Sequence, residues 1–147
     1  MKIEFYKYQG TGNDFILLDN REDIYNAITN EQVKFLCDRH FGIGADGLML
    51  LNNNEEYDFE MIYYNADGKP GSMCGNGGRC IVQFASMLGI KKKEYRFLAT
   101  DGAHEAEIDL EKEVSLKMKD VTDVNFTLNN FLLNTGSPHY VWYFKEV

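Results

Sequence analysis

The segment Cys74-Gly75-Asn76-Gly77-Gly78-Arg79 runs directly into Cys80-Ile81-Val82-Gln83-Phe84-Ala85-Ser86-Met87-Leu88, which Gly89 closes. Within that last run only Gln83 and Ser86 are polar. A helix that is apolar on nearly every side is a buried helix, so the remainder of the chain has to surround it. What remains reads mostly as strand. Phe59, Met61 and Tyr63 alternate with Glu60, Ile62 and Tyr64, and His104, Ala106 and Ile108 alternate with acids; a period of two marks a strand with one buried face. The expected class is α+β: a curled, largely antiparallel sheet wrapped around a central helix.

Local signals fill in the other elements. Residues 1–9 alternate as a strand. Gln9–Asp14 is a turn, and Phe15–Leu18 is a short buried strand. Asn30 is positioned to cap a helix on which Val33, Leu36, Cys37 and His40 share a face. Gly42–Gly47 is a glycine loop leading into a strand at Leu48–Leu51. Residues 94–119 read as all-β, with a turn near Glu111-Lys112 and with His104 on the solvated side of its strand. From Asn129 to Val147, two apolar runs flank Asn134-Thr135-Gly136-Ser137-Pro138.

Composition removes several function classes. The net charge of −8, from 23 acidic and 15 basic residues, argues against nucleic acid as a partner, because that affinity comes chiefly from Lys and Arg neutralising phosphates. No apolar run approaches the roughly 20 residues of a membrane span, and Met1-Lys2-Ile3-Glu4 is not a signal peptide. Three cysteines without framework spacing point to free thiols in a reducing compartment, the cytoplasm. At 147 residues the chain is long enough to bury about 70% of its unfolded surface without staples.

Five glycines fall within residues 68–78, an expensive way to enter a helix at roughly 1 kcal/mol each relative to Ala. Glycines there let bare backbone approach a ligand at a helix N-terminus, where unpaired N–H groups and the dipole favour an anion. Cys74 stands at that start as a potential base or nucleophile. Cys80, six residues on, lies about 240° round the helix and is core packing, as is Cys37. Gly42-Ile43-Gly44-Ala45-Asp46-Gly47 matches the spacing of a dinucleotide fingerprint, but it follows a helix and opens a strand, the reverse of what that site needs. Neither the three His nor the three Cys show zinc spacing, so no metal is expected. Ser137 lacks a nucleophile elbow and reads as a loop residue. His139, after Pro138, is equally compatible with a loop role and with presenting an imidazole to a site.

Taken together, the segments Lys7-x-x-Gly10-x-Gly12-Asn13-Asp14-Phe15, Arg39-His40-x-Gly42-Ile43-Gly44-Ala45-Asp46-Gly47, Tyr64-Asn65-Ala66-Asp67-Gly68, Met73–Cys80 and Gly136-Ser137-Pro138-His139 resemble the diaminopimelate epimerases, cofactor-independent amino-acid isomerases of lysine biosynthesis. The resemblance implies a fold of two similar halves, each a sheet wrapped on a central helix, with the site between them. It implies that Cys74 is one of two catalytic cysteines, and that Gly75 and Asn76 hold the substrate α-carboxylate through backbone N–H groups. Asn13 and Asn65 would bind the substrate's polar groups, and Ser137 and His139 would lie in a loop near the site. Ser137 stands where the family commonly has Asn, and Gly47 where some members have a substrate-binding Gln.

On this resemblance residues 1–119 are the N-terminal domain carrying the Cys74 helix, and 120–147 begin a second domain that supplies the other cysteine. The activity implied is conversion of LL-diaminopimelate to the meso form by removal and return of the α-proton, with no cofactor and no metal. One half of such a site is expected to be inactive alone. A proline racemase on the same fold and a non-catalytic amino-acid-binding module are the alternatives; only an enzyme exchanges the α-proton with solvent. The apolar tail is expected to make the chain a homodimer.

Overall fold

The computed structural model of the chain describes residues 2–127 and 129–144. The chain divides into two units, Met1–Lys117 and Met118–Val147.

In the first unit, Tyr6–Gly10 (β1) and Asn13–Asp19 (β2) form a hairpin. Thr11 and Gly12 both take positive φ, 54° and 84°, the pair of left-handed residues whose twist suits two antiparallel strands. β2 then pairs in parallel with Gly47–Asn52 (β3), a geometry that demands a crossover. Helix α1 (Asn30–Cys37) provides it. Phe59–Asn65 (β4) returns antiparallel on β3. Glu94–Ala99 (β5) pairs in parallel with β4 after a second crossover through helix α2 (Gly75–Met87). Gly102–Ile108 (β6) and Val114–Leu116 (β7) finish the sheet antiparallel, in the order β1-β2-β3-β4-β5-β6-β7. The sheet is therefore mixed, largely antiparallel, with a helix inside each parallel junction.

Helix α2 touches β1, β2 and β3 as well as β6 and β7. Both ends of a seven-stranded sheet can reach one helix only if the sheet curls around it. Phe15, Leu17, Met49, Leu51, Phe59, Met61 and Tyr63 point from the sheet towards Ile81, Val82, Phe84 and Ala85 of α2. The ring of Phe84 meets Tyr6 and Tyr8 at 5.0 and 5.9 Å. The alternate residues Ile16, Leu18, Leu48 and Leu50 form a second core with Val33 and Cys37 of α1. Because β2 and β3 are buried on both faces, they read as continuous apolar runs instead of alternating ones.

Four details differ from the sequence expectation. The first strand starts at Tyr6; residues 2–5 precede the sheet, and Ile3 packs on the second core. Helix α1 is capped by Thr29, not Asn30: the Thr29 hydroxyl accepts from the Gln32 N–H while the Gln32 side chain accepts from the Thr29 N–H, a reciprocal arrangement that uses two otherwise orphan donors. The helix ends at Cys37 because Asp38 is extended, with ψ 128°, so His40 lies exposed in the following turn and shares no helical face with Val33. His104 is buried, not solvated. Its ring stacks on Phe97 at 5.5 Å and its Nε2 lies 2.7 Å from Asp101 Oδ1.

The second unit contains three antiparallel strands, Val124–Thr127 (β8), Asn130–Asn134 (β9) and Pro138–Trp142 (β10), ordered β10-β9-β8. β9 and β10 are the two anticipated apolar runs, whose last residues, 145–147, lie outside the described ones. β8 was not anticipated. Among the described residues no helix is long and apolar enough to cross a membrane.

Candidate active site

Three neighbouring strand ends meet where helix α2 begins. Phe15 of β2 is paired with Gly47 of β3, and Gly47 with Asn65 of β4, so Asn13, Gly47 and Asn65 lie at one end of the sheet. Cys74 is the N-cap of α2, with extended backbone at φ −116° and ψ 119°. The helix therefore starts one residue after the cysteine, and Gly75, Gly77 and Gly78 are helical residues, not a loop ahead of the helix.

The Cys74 sulfur has two hydrogen-bond partners of opposite kind. It accepts from the Gly77 N–H at 3.5 Å, and its thiol donates to Asn13 Oδ1 at 3.6 Å. The Gly78 N–H enters the helical ladder on the Cys74 carbonyl at 2.8 Å. The N–H groups of Gly75 and Asn76, in the first turn, stand outside that ladder at the positive end of the helix dipole. One thiol and two first-turn N–H groups thus share one helix end.

Asn13 is the hub of the cluster. Its Nδ2 donates to Asp46 Oδ2 at 2.8 Å, and its Oδ1 accepts from Asn76 Nδ2 at 3.4 Å as well as from Cys74. The Asn76 oxygen in turn accepts from the Arg79 guanidinium, and the Thr11 hydroxyl, whose proton goes to the Gly10 carbonyl at 2.7 Å, lies 3.2 Å away. Behind Asn13 sits a charged group that sequence analysis did not single out. Arg39 bridges Asp14 at 2.7 Å and Asp46 at 2.9 Å, and Lys7 pairs with Asp14 at 2.8 Å. The Arg39 guanidinium beside Asp14, with Lys7, holds that carboxyl well below the usual carboxylate range. The Asp46 carboxyl is lowered too, first by the Asn13 amide and then by the Asp14 backbone N–H. Arg39 and Asp14 are 25 positions apart, and Asp14 and Asp46 are 32 apart, so no local pattern announces the network.

Three of the glycines pack closely against side chains. A Cβ on Gly78 would lie 2.7 Å from Met73 Cε and 2.8 Å from Leu116 Cδ2. Gly47 and Gly71 close on the Tyr63 ring from two sides, at 2.5 and 2.3 Å from the same hypothetical Cβ, and burial pushes the Tyr63 hydroxyl up to about 12.

Asn65, at the exposed end of β4, closes a turn: its N–H donates to Lys69 O and its carbonyl accepts from the Gly68 N–H, both at 2.9 Å. It shares the sheet end with Asn13, but among the described residues no hydrogen bond joins it to the Cys74–Asn13–Asn76 cluster. Cys37 and Cys80 are buried, and desolvation pushes both thiols up to about 11. Ser137 and His139 belong to the second unit. There His139 is exposed on β10, its Nδ1 2.8 Å from the Ser137 carbonyl.

The family model for diaminopimelate epimerase matches residues 5–124. A diaminopimelate epimerase of Flavobacterium psychrophilum is 54% identical over 139 residues, which cover 95% of this chain and 54% of that protein. One from Chlorobaculum tepidum is 50% identical over 145 residues, covering 94% of this chain and 56% of its own. The chain spans about half the length of the curated relatives it matches. Among solved structures, a Bacillus anthracis phenazine biosynthesis protein of the PhzF family superposes with a TM-score of 0.62 at 16% identity, over 95% of this chain and 55% of that one. Methylitaconate-delta-isomerase does so at 0.56 and 16%, over 90% and 71%. At such identity the likeness is one of fold.

Proposed function

The chain belongs to the diaminopimelate epimerase family, and from that premise we propose that it supplies one of the two proton-transfer thiols, Cys74, for interconverting LL- and meso-diaminopimelate. The observation that carries this reading is Cys74 as the N-cap of α2, beside Gly75 and Asn76, whose first-turn N–H groups stand outside the helical ladder.

Inverting an α-carbon requires a base on one face and an acid on the other, exchanging roles with the hand of the substrate. Cys74 as thiolate takes the α-proton of one epimer; when the second thiol has taken the α-proton of the other epimer, Cys74 as thiol protonates the resulting carbanion on the opposite face. The carboxylate accepts hydrogen bonds from the Gly75 and Asn76 N–H groups, so charge developing at the α-carbon is drawn towards the helix N-terminus. Asn13 and Asn65 receive the substrate's other polar groups. The second thiol and a second helix end come from the other half of a family protein. The reaction needs no cofactor and runs in the cytoplasm. One thiol by itself does not invert an α-carbon, and the apolar run of β10 makes the chain a homodimer.

The test uses LL-diaminopimelate in heavy water. The chain by itself leaves α-deuterium at background. Joined to the part of the Flavobacterium psychrophilum relative beyond the matched residues, it incorporates deuterium, and Cys74→Ala abolishes the uptake. Exchange that survives Cys74→Ala in the joined protein sinks the assignment.

A further inference from the structure

Asn13 presents one carboxamide to two demands of opposite sign. Its Nδ2 faces Asp46 at 2.8 Å and its Oδ1 faces the Cys74 sulfur at 3.6 Å. Which way such an amide points is settled by the groups around it, and here both ends are fixed by charge. Asp46, held ionised beside Arg39, can only accept, so the atom facing it must be the amide nitrogen. At the far end, the Arg79 guanidinium, which can only donate, takes the Asn76 oxygen, and this turns the Asn76 nitrogen to donate to the Asn13 oxygen. Reversing Asn13 would place oxygen against carboxylate and nitrogen against nitrogen. The Asn13 oxygen is thereby left facing Cys74, where it can only accept a proton-bearing partner.

We propose that Asp46, anchored by Arg39, is a positioning residue that locks the Asn13 carboxamide with its oxygen towards Cys74, so that the Cys74 thiol has a fixed acceptor for its proton. This rests on the reading of Cys74 as a proton-transfer group, and it adds what orients the acceptor that this thiol faces. The Gly77 N–H opposes the effect by donating to the same sulfur. Among the described residues, Tyr63 of β4 and Cys80 of α2 interact electrostatically with Cys74; the charged Arg79 of α2 and Asp46 reach it through Asn76 and Asn13.

The bland alternative is that Asp46 acts on Cys74 only as a nearby negative charge. The two separate in a double-mutant cycle read by iodoacetamide labelling of Cys74 against pH, with mass mapping, on the full chain. One hydrogen bond to the thiol corresponds to a midpoint shift of about 0.5–1 pH unit, a three- to tenfold change in rate below the midpoint. Under the proposal, N13A lowers the midpoint by about that amount. D46A lowers it in the wild-type background and leaves it unmoved in the N13A background. Equal D46A shifts in both backgrounds overturn the proposal in favour of simple charge. Should D46A fail to fold, N13A decides: a midpoint that stays put or rises also overturns it. Labelling needs no turnover, so failure here is distinguishable from failure of the deuterium-exchange test.

Discussion

The His104 ring stacks on Phe97 at 5.5 Å and 27° from parallel while its Nε2 meets Asp101 Oδ1 at 2.7 Å, with only 2% of the His104 side chain exposed. A polar ring so deeply buried is tolerated because its nitrogen has a partner. His104→Ala removes both the stacking and the partner, and it should cost about 2–4 kcal/mol in urea unfolding. His104→Phe restores the ring and leaves only the lost pairing, so it should recover part of that. If His104→Ala unfolds at the wild-type midpoint, the ring is not the core element described.

The thiols should separate by reactivity. Cys37 and Cys80 are buried, with thiols pushed up to about 11, whereas Cys74 is half-exposed at the helix end. Since the thiolate is the nucleophile, iodoacetamide near pH 8 should modify Cys74 first and the other two only on unfolding. Mass mapping that finds Cys80 or Cys37 modified ahead of Cys74 would contradict this placement.

Acid should loosen the network behind the site. The folded carboxyl of Asp14 is held below its ordinary 3.8, first by Arg39 and then by Lys7, and that of Asp46 first by Asn13. A group with a depressed folded pKa contributes stability that is fully present above its unfolded pKa and lost as pH falls through the folded one. The contribution should therefore hold above about pH 5 and fade from about pH 4 downwards. Arg39 is half-exposed, so salt should weaken it as well. Thermal midpoints of wild type and Asp14→Asn, measured from pH 7 to pH 3, should converge as pH falls. A constant gap would mean that the Asp14 charge has no part in it.

What the sequence revealed depended on how local the cause was. The alternation of Phe59, Met61 and Tyr63 is a property of one strand, and those residues are indeed the buried ones in β4. The Cys74 block likewise concentrates its signal in a few residues. The true start of α2 was hidden because Gly75, Gly77 and Gly78 are poor helix formers; close packing on Met49, Met73 and Leu116 favours a helix there. His104 was misplaced because acids flank it in sequence while its partner, Asp101, comes from the turn before its strand. The Arg39–Asp14–Asp46 group is assembled from three distant segments, and no period or spacing could foretell it.

The second unit bears on association. Tyr140 and Trp142 are 59% and 54% exposed on β10, and Phe126 is 64% exposed on β8; both strands are edges of the three-stranded sheet. Tyr143 and Phe144 continue the apolar run at 74% and 65%. An edge strand carrying large apolar side chains is a template for another copy, and burying each such side chain is worth roughly 1.5–3 kcal/mol. A pair of chains joined through two or three of them on each side would offset the several kcal/mol or more that association costs. Sedimentation equilibrium at micromolar concentration should therefore give a dimer. Trp142→Glu should shift it to monomer, because a charge at that position opposes both burial and edge pairing. The variant leaves the first unit untouched in sequence, so Cys74 should label at the wild-type rate. A wild-type chain that stays monomeric at tens of micromolar would refute the dimer, and Trp142→Glu would then leave the sedimentation profile unchanged.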